Sequence, residues 1–298
     1  MWFKNARIFQ LTEGFSMETE AFSEALREHQ LKPCGSMDME SLGWVSPFGA
    51  DNDLFVLQSG DALMFTLGGE EKILPTAAVN HQLNQKLEVA VKETGHKPGR
   101  KAQSDMKQQL MLEMLPQAFV KPKRIQAYID KKLDLLVVDA ASQNAAENLV
   151  THLRQTLGSF KATAFGASSS MAQVLTQWVT KGSADDGFDL SHDIALETLD
   201  ENKGVVRGRN IEHLDDQMQR HIDNGYLVTQ LGLGFQARVN FSLGHDMGVK
   251  SIRFTDMVLD QFEDGFESEA QRLDSYFTVF SLEMRELLQA LFKVFTTA

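Results

Sequence analysis

Residues 226–254 read YLVTQLGLGFQARVNFSLGHDMGVKSIRF, a run rich in Val, Leu, Phe and Ile that glycines at 232, 234, 244 and 248 break into short segments. Short apolar runs separated by turn-formers are the mark of successive antiparallel strands, so this stretch predicts a meander. Gly232-Leu233-Gly234-Phe235 comes nearest to a phosphate-binding glycine loop. It lies inside a strand-like run and not at a strand-to-helix junction, which makes these sheet glycines. Residues 274–295 then place Phe277, Phe280, Met284, Leu287, Leu288 and Leu291 on one side of a closing helix. An antiparallel sheet beside amphipathic helices is the α+β class, mixed but mainly antiparallel, and not a doubly wound fold.

Working back toward the amino terminus, strands and helices interleave without a repeat. Residues 204–209 read as a strand, 161–165 as a short strand, and 143–157, 171–179 and 214–222 as helices. Residues 124–129 and 133–138 form a hairpin over the turn Asp130-Lys131-Lys132. Before it, Val79, Leu83, Leu87 and Val91 recur every fourth residue, and Met106, Leu110, Met111, Met114 and Leu115 make a second helical stripe. Between the stripes, Thr94-Gly95-His96-Lys97-Pro98-Gly99-Arg100-Lys101 stops the first helix and leaves basic side chains in an exposed connection. Two helices with a basic tip predict a projecting finger whose apolar stripes are packing surface. Residues 54–57 and 62–67 read as a second hairpin over Ser59-Gly60-Asp61, and 3–11 and 18–29 as an opening strand and helix. The expected organisation is an N-terminal α+β region over 1–75, a basic helical finger over 76–132 and a C-terminal α+β region over 133–298.

The chain of 298 residues carries 29 Lys+Arg against 41 Asp+Glu, a formal charge of −12, with 43% hydrophobic residues. That is enough apolar material for a real core, and it excludes global disorder. A lone Cys34 supports neither an internal disulfide nor a cysteine zinc site, and reducing cytoplasm is the expected compartment. No signal peptide and no membrane span are expected, because no apolar run approaches the length either requires.

An acidic protein should repel DNA, but the charge is unevenly spread. Between Lys86 and Lys132 stand eleven basic and five acidic side chains, so this window is +6 while the remainder is −18. From Thr255 onward nine acids face three bases, which reads as a solvated outer face. Only Phe119 and Tyr128 are aromatic in the basic window, so it offers little for bases to stack on and favours contacts to phosphates. A solvated helix surface with surplus lysine is the alternative reading.

Catalytic patterns are missing from the sequence. There is no Walker-type loop, no H-E-x-x-H, no G-x-S-x-G and no calcium loop. The eight His are scattered; Asp51 with Asp53, and Asp185 with Asp186, sit in polar loops as solvated charge; Cys34 lacks a neighbouring base. The expectation is no metal, no cofactor and no enzyme.

Beyond composition, particular motifs carry a resemblance. Trp2-Phe3-Lys4-Asn5, Pro33-Cys34-Gly35-Ser36-Met37-Asp38-Met39 leading into Gly43-Trp44-Val45, Glu70-Glu71-Lys72-Ile73-Leu74-Pro75 and Leu115-Pro116-Gln117-Ala118-Phe119 resemble the bacterial recombination-associated RdgC family. Leu136-Val137-Val138-Asp139-Ala140-Ala141-Ser142, Leu153-Arg154-Gln155-Thr156-Leu157-Gly158-Ser159, Thr176-Gln177-Trp178-Val179 and His221-Ile222-Asp223-Asn224-Gly225 continue the match in order over nearly the whole chain. The resemblance implies a nucleoid-associated cytoplasmic protein that binds double- and single-stranded DNA without sequence preference and restrains RecA-promoted strand exchange. It also implies a homodimer of two horseshoe-shaped subunits closed into a ring around DNA, with no membrane partner. Such a ring would reconcile an acidic outside with a basic lining. Gln117 departs from the family pattern, which has a basic residue in its Leu-Pro-x-Ala-Phe motif, and Lys121, Lys123 and Arg124 would compensate.

The candidate DNA contacts are Lys72, Lys97, Arg100, Lys101, Lys121, Lys123, Arg124, Lys131, Lys132, Arg207 and Arg209. Phe119, beyond the Pro116 break, reads on its own as an apolar side chain folding back into the core; the resemblance instead implies a dimer interface. Two readings from other classes stand beside this one. The first is a nuclease whose acidic loops hold Mg²⁺, the second an acidic interaction scaffold.

Overall fold

The computed structural model describes residues 3–49, 52–166, 168–185, 187–198, 204–209, 216–262, 266 and 268–295. In chain order these form β1 (Asn5–Leu11), α1 (Thr19–Glu28), β2 (Glu40–Val45), β3 (Leu57–Ser59), β4 (Ala62–Ile73), α2 (Thr76–Thr94) and α3 (Arg100–Met114). After a single 3₁₀ turn come β5 (Phe119–Asp130), β6 (Leu135–Val138), α4 (Gln143–Leu157), β7 (Ala162–Ala164), α5 (Ser169–Lys181), β8 (Phe188–Glu197), β9 (Val205–Gly208) and α6 (Asp216–Asp223). The chain closes with β10 (Leu227–Phe235), β11 (Val239–Gly244), β12 (Val249–Phe254), α7 (Asp256–Leu259) and α8 (Glu269–Phe295). Hydrogen bonds join the described strands into one open twelve-stranded sheet, and the class is α+β as expected.

The contacts divide the chain into two compact units. The first holds residues 1–26, 46–66 and 125–298. At its centre β1 pairs antiparallel with β6 (Arg7↔Val138 to Gln10↔Leu135) and with β12 (Asn5↔Lys250, Ala6↔Val249). The period of two along a strand sends Ala6 and Ile8 into one apolar cluster with Val137, Val249 and the inner face of α8. Tyr128 lies at the heart of it, its ring within 5.8 to 6.0 Å of Phe3, Phe277 and Phe280. Burial, and secondarily the charge of Asp130, push its hydroxyl pKa far above the ordinary range. Asp130 itself accepts from the backbone N–H groups of Lys132 and Leu133 and, at 2.7 Å, from Arg285 Nε on α8. Arg7 is ion-paired to Asp246 in the β11–β12 turn, and Gly248 N–H donates to the same carboxyl group.

The predicted meander is β10, β11 and β12, paired antiparallel from Gln230↔Gly244 to Phe235↔Val239 and on through Val239↔Phe254. β8, which the sequence reading left unassigned, pairs with β10 from Leu227↔Glu197 to Phe235↔Phe188, with shifts of register at two points. It turns Phe188, Leu190, Ile194 and Leu196 toward the apolar cluster. The closing helix starts earlier than residue 274, and the hairpin expected from 54–57 is built instead by β3 and a long β4. Residues 214 and 215 of the expected 214–222 helix lie outside the described residues.

The second unit holds residues 27–45 and 67–124. Its α2 ends where the sequence reading placed the stop, at Gly95, whose φ of 76° is left-handed and whose N–H donates to Val91 O. Val79, Leu87 and Leu110 are buried, whereas Val89, Val91 and Leu112 are exposed. β2, also unassigned from the sequence, carries Gly43, where a Cβ would stand 2.5 Å from the backbone of Leu31. That close approach lets Leu31 N–H donate to Trp44 O and Trp44 N–H to His29 O. β4 and β5 are covalently shared, with residues 67–73 and 119–124 belonging to this unit. Among the described residues no helix is long and apolar enough to cross a membrane.

Candidate nucleic-acid interface

The anticipated basic residues fall into separate groups. Lys97, Arg100 and Lys101 are all exposed, at the connection between α2 and α3 and in the first turn of α3. That connection is pinned by Gln103 Nε2 donating to Pro98 O at 2.6 Å and by Thr94 Oγ1 donating to Ala90 O and His96 O. The first turn of α3 carries no acid, so two cations sit where the helix already presents partial positive charge. Each such placement costs about 0.3 to 1 kcal/mol in isolation and becomes favourable when an anion arrives.

The start of β5 carries the next group. Lys121 and Arg124 are exposed, while Lys123 is ion-paired to Glu71 at 2.7 Å. The hydrogen bond from Lys123 and its charge hold the Glu71 carboxyl below the usual carboxylate range. Phe119 begins this strand and is 82% exposed, so it does not fold back into the core. Val120 beside it is exposed too.

Lys72 differs from the rest. Its side chain is buried, at 6% exposure, and its ammonium donates to Gly35 O and Ser36 O at 2.7 and 2.5 Å. It holds the 33–38 loop, and its donors are directed at carbonyls of its own chain. Lys86 is likewise held, ion-paired to Glu113 at 2.6 Å, which lowers the Glu113 pKa. The net positive window is therefore partly neutralised from within. Lys131 is half-buried and Lys132 exposed at the β5–β6 turn, whose geometry the Asp130 carboxyl fixes.

Arg207 on β9 and Arg209 just beyond it are exposed and line an open groove of about 610 Å³ on the face of the sheet opposite the apolar cluster. Arg253 on β12 lines the same groove. The sequence reading omitted it, although its alternation with buried Ile252 and Phe254 marks it as a residue of the open face.

Among the described residues no three His, Cys, Asp or Glu side chains come together to hold a metal ion. Asp53 is exposed, and Asp185 accepts a hydrogen bond from Trp178 Nε1 at 3.0 Å. Asp51 and Asp186 lie outside the described residues.

A family model described as "Putative exonuclease, RdgC" matches residues 1–298. The protein named "Recombination-associated protein RdgC" from Psychromonas ingrahamii is 30% identical over 296 residues, covering 99% of this chain and 98% of the relative. Proteins of the same name from Pseudoalteromonas atlantica and Salmonella typhimurium are each 31% identical, over 296 and 292 residues, covering 99% and 98% of this chain and 98% and 96% of the relatives.

Proposed function

Because the chain belongs to the RdgC family, whose relatives are named for recombination, we propose that it acts in recombination as a non-catalytic protein that binds DNA through phosphates. The observation that carries this reading is the exposed trio Lys97, Arg100 and Lys101 at the acid-free N-terminus of α3. Cations placed on a helix N-terminus make an anion site without a sequence-reading element. Both double- and single-stranded DNA are ligands, and the protein works in the cytoplasm on the nucleoid.

The finer part of the proposal concerns assembly. Phe119, 82% exposed at the start of β5, is the contact through which two subunits meet tip to tip in a homodimer closed around DNA, and occupancy of DNA by that ring restrains RecA-promoted exchange. Burying a phenylalanine contributes about 1.5 to 3 kcal/mol, and a two-fold axis uses the contact twice.

A nuclease is the second reading, favoured by the wording of the family description. One titration separates the two. Gel shifts without Mg²⁺ should show affinity for unrelated duplexes falling with salt at about −0.9 in log-log slope per phosphate contact, and incubation with Mg²⁺ should yield no cleavage product. Metal-dependent product would establish the nuclease, and salt-independent affinity would sink the phosphate reading.

A further inference from the structure

The open groove on the first unit's sheet is built from five neighbouring strands in the order β12, β11, β10, β8, β9. Most of the groove floor is polar or glycine: Ser191 and Asp193 on β8, Gln230 and Gly232 on β10, Asn240 and Ser242 on β11, while Ile194 and Phe241, which also border it, pack in or against the apolar cluster. Register puts Gly234 across from Asn240 and Asn240 across from Arg253. On the other flank Gln230 lies across from Ala195 and Ala195 across from Arg207. The floor is thus short-chained and polar, and the arginines rise at its two margins.

We infer that this groove seats double-stranded DNA, with Arg253 on one margin and Arg207 and Arg209 on the other each taking a different strand's phosphates. The inference rests on the DNA-binding reading above and adds a location and a preference. Four interstrand spacings of about 4.8 Å separate the margins by about 19 Å along the sheet. A duplex presents two phosphate rows flanking a groove about 6 or 12 Å wide, which inward-reaching arginines on both margins span together. A single strand presents one row and meets one margin. Between the margins lie Asp193, which lines the groove, and Asp189, beside Gly234, so a strand laid along the middle would meet carboxylates. The one aromatic among the lining residues, Phe241, is 4% exposed and packs in the apolar cluster, so the floor offers no ring face for the stacking that single strands use. Arginine at the margins suits forked donation to phosphate oxygens. Among the described residues neither Arg207, Arg209 nor Arg253 is held in an ion pair.

The test is fluorescence anisotropy of the full chain with a short mixed-sequence duplex and with oligothymidylate, between about 50 and 200 mM salt. Arg207→Ala with Arg253→Ala should weaken duplex binding about tenfold or more and flatten its salt slope by about 2, leaving oligothymidylate within about twofold. Asn240→Glu, an exposed substitution that adds a carboxylate to the floor, should weaken duplex binding in the same direction. Unchanged duplex affinity in both variants, or equal losses on both probes, overturns the groove while the DNA reading stands. A wild-type chain that binds neither probe overturns the DNA reading and the groove with it. Melting temperature within a degree or so of wild type confirms that the exposed substitutions leave the fold intact.

Discussion

The helical hairpin of the second unit and the sheet of the first both present positive charge, and they do so by opposite means. In the hairpin the cations lie within five residues of one another, sit on an exposed connection and the helix turn after it, and are backed by few buried side chains, Val79, Leu87 and Leu110 among them. In the sheet they come from β9 and β12, far apart in the chain, and stand on a backbone whose other face is packed against α8. Counting charge along the sequence finds the first kind as a cluster and gives the second only as the separate Arg207 and Arg209, without Arg253. It also overstates the first, because Lys86 and Lys123 are paired with acids and Lys72 just outside the window is buried. Side chains on a rigid sheet hold a fixed spacing, which suits a ligand of fixed width. Those on a helix tip can follow a ligand whose shape varies.

That contrast is easiest to break through stability. Phe280, buried against Phe3, Tyr128 and Phe254, should cost about 3 to 5 kcal/mol when cut to Ala. Phe119→Ala should leave the melting temperature almost unchanged, as calorimetry on both variants would show. Comparable losses would mean that the exposed Phe119 is as structural as the core. Next in size, replacing Lys97, Arg100 and Lys101 together by Ala should weaken binding of duplex and single strand alike and flatten both salt slopes by up to about 0.9 per lost contact. A loss confined to duplex would mean that the tip, not the sheet, discriminates between the two. Gly95→Ala forces a side chain into a left-handed φ and should cost about 1 to 2 kcal/mol, read as faster amide exchange at the end of α2; exchange unaltered there would show that the tip tolerates other geometries.

The smallest effect concerns acid. Burial raises the Asp246 carboxyl pKa, but the hydrogen bond and charge of Arg7, with the N–H of Gly248, outweigh it and leave the value below the ordinary 3.8. A depressed carboxylate contributes stability that is complete above its unfolded value and is lost as pH falls through the lower folded one. Asp246→Asn should therefore lower the melting temperature at neutral pH, by a margin that narrows below pH 3.8. A margin independent of pH would remove the ion pair from the account.

Where apolar residues alternate or recur locally, the fold was legible. The meander, the helix pair and its glycine stop all depend on neighbours a few residues away. β2 escaped notice because Gly43 answers to the backbone of Leu31 and not to its own flanks. β8 could have been found, since Phe188, Leu190, Ile194 and Leu196 hold a period of two, but its polar partners diluted the run. Of the candidate site, the exposed tip was legible, and Arg207 and Arg209 were named singly, but Arg253 and the groove that gathers them were not, because strand pairing alone brings β9 and β12 to one face. Lys72 could not be told from a surface lysine, since the carbonyls it binds belong to Gly35 and Ser36.

The pairing of Asn5 with Lys250 sets an order of events on the ribosome. All residues of the second unit have been made once residue 124 is added, whereas the first strand of the chain waits for β12, the last of the twelve described strands to be made, more than a hundred residues further on. At about 5 to 20 residues per second that is a delay of several seconds or more, during which β7 can cover Phe9 to Leu11 but the Asn5–Ala6 end of that edge of β1 stays unpaired and open to other chains. A nascent chain in this state is a natural client for a chaperone that shields strand edges, and slow codons before residue 249 would lengthen its exposure.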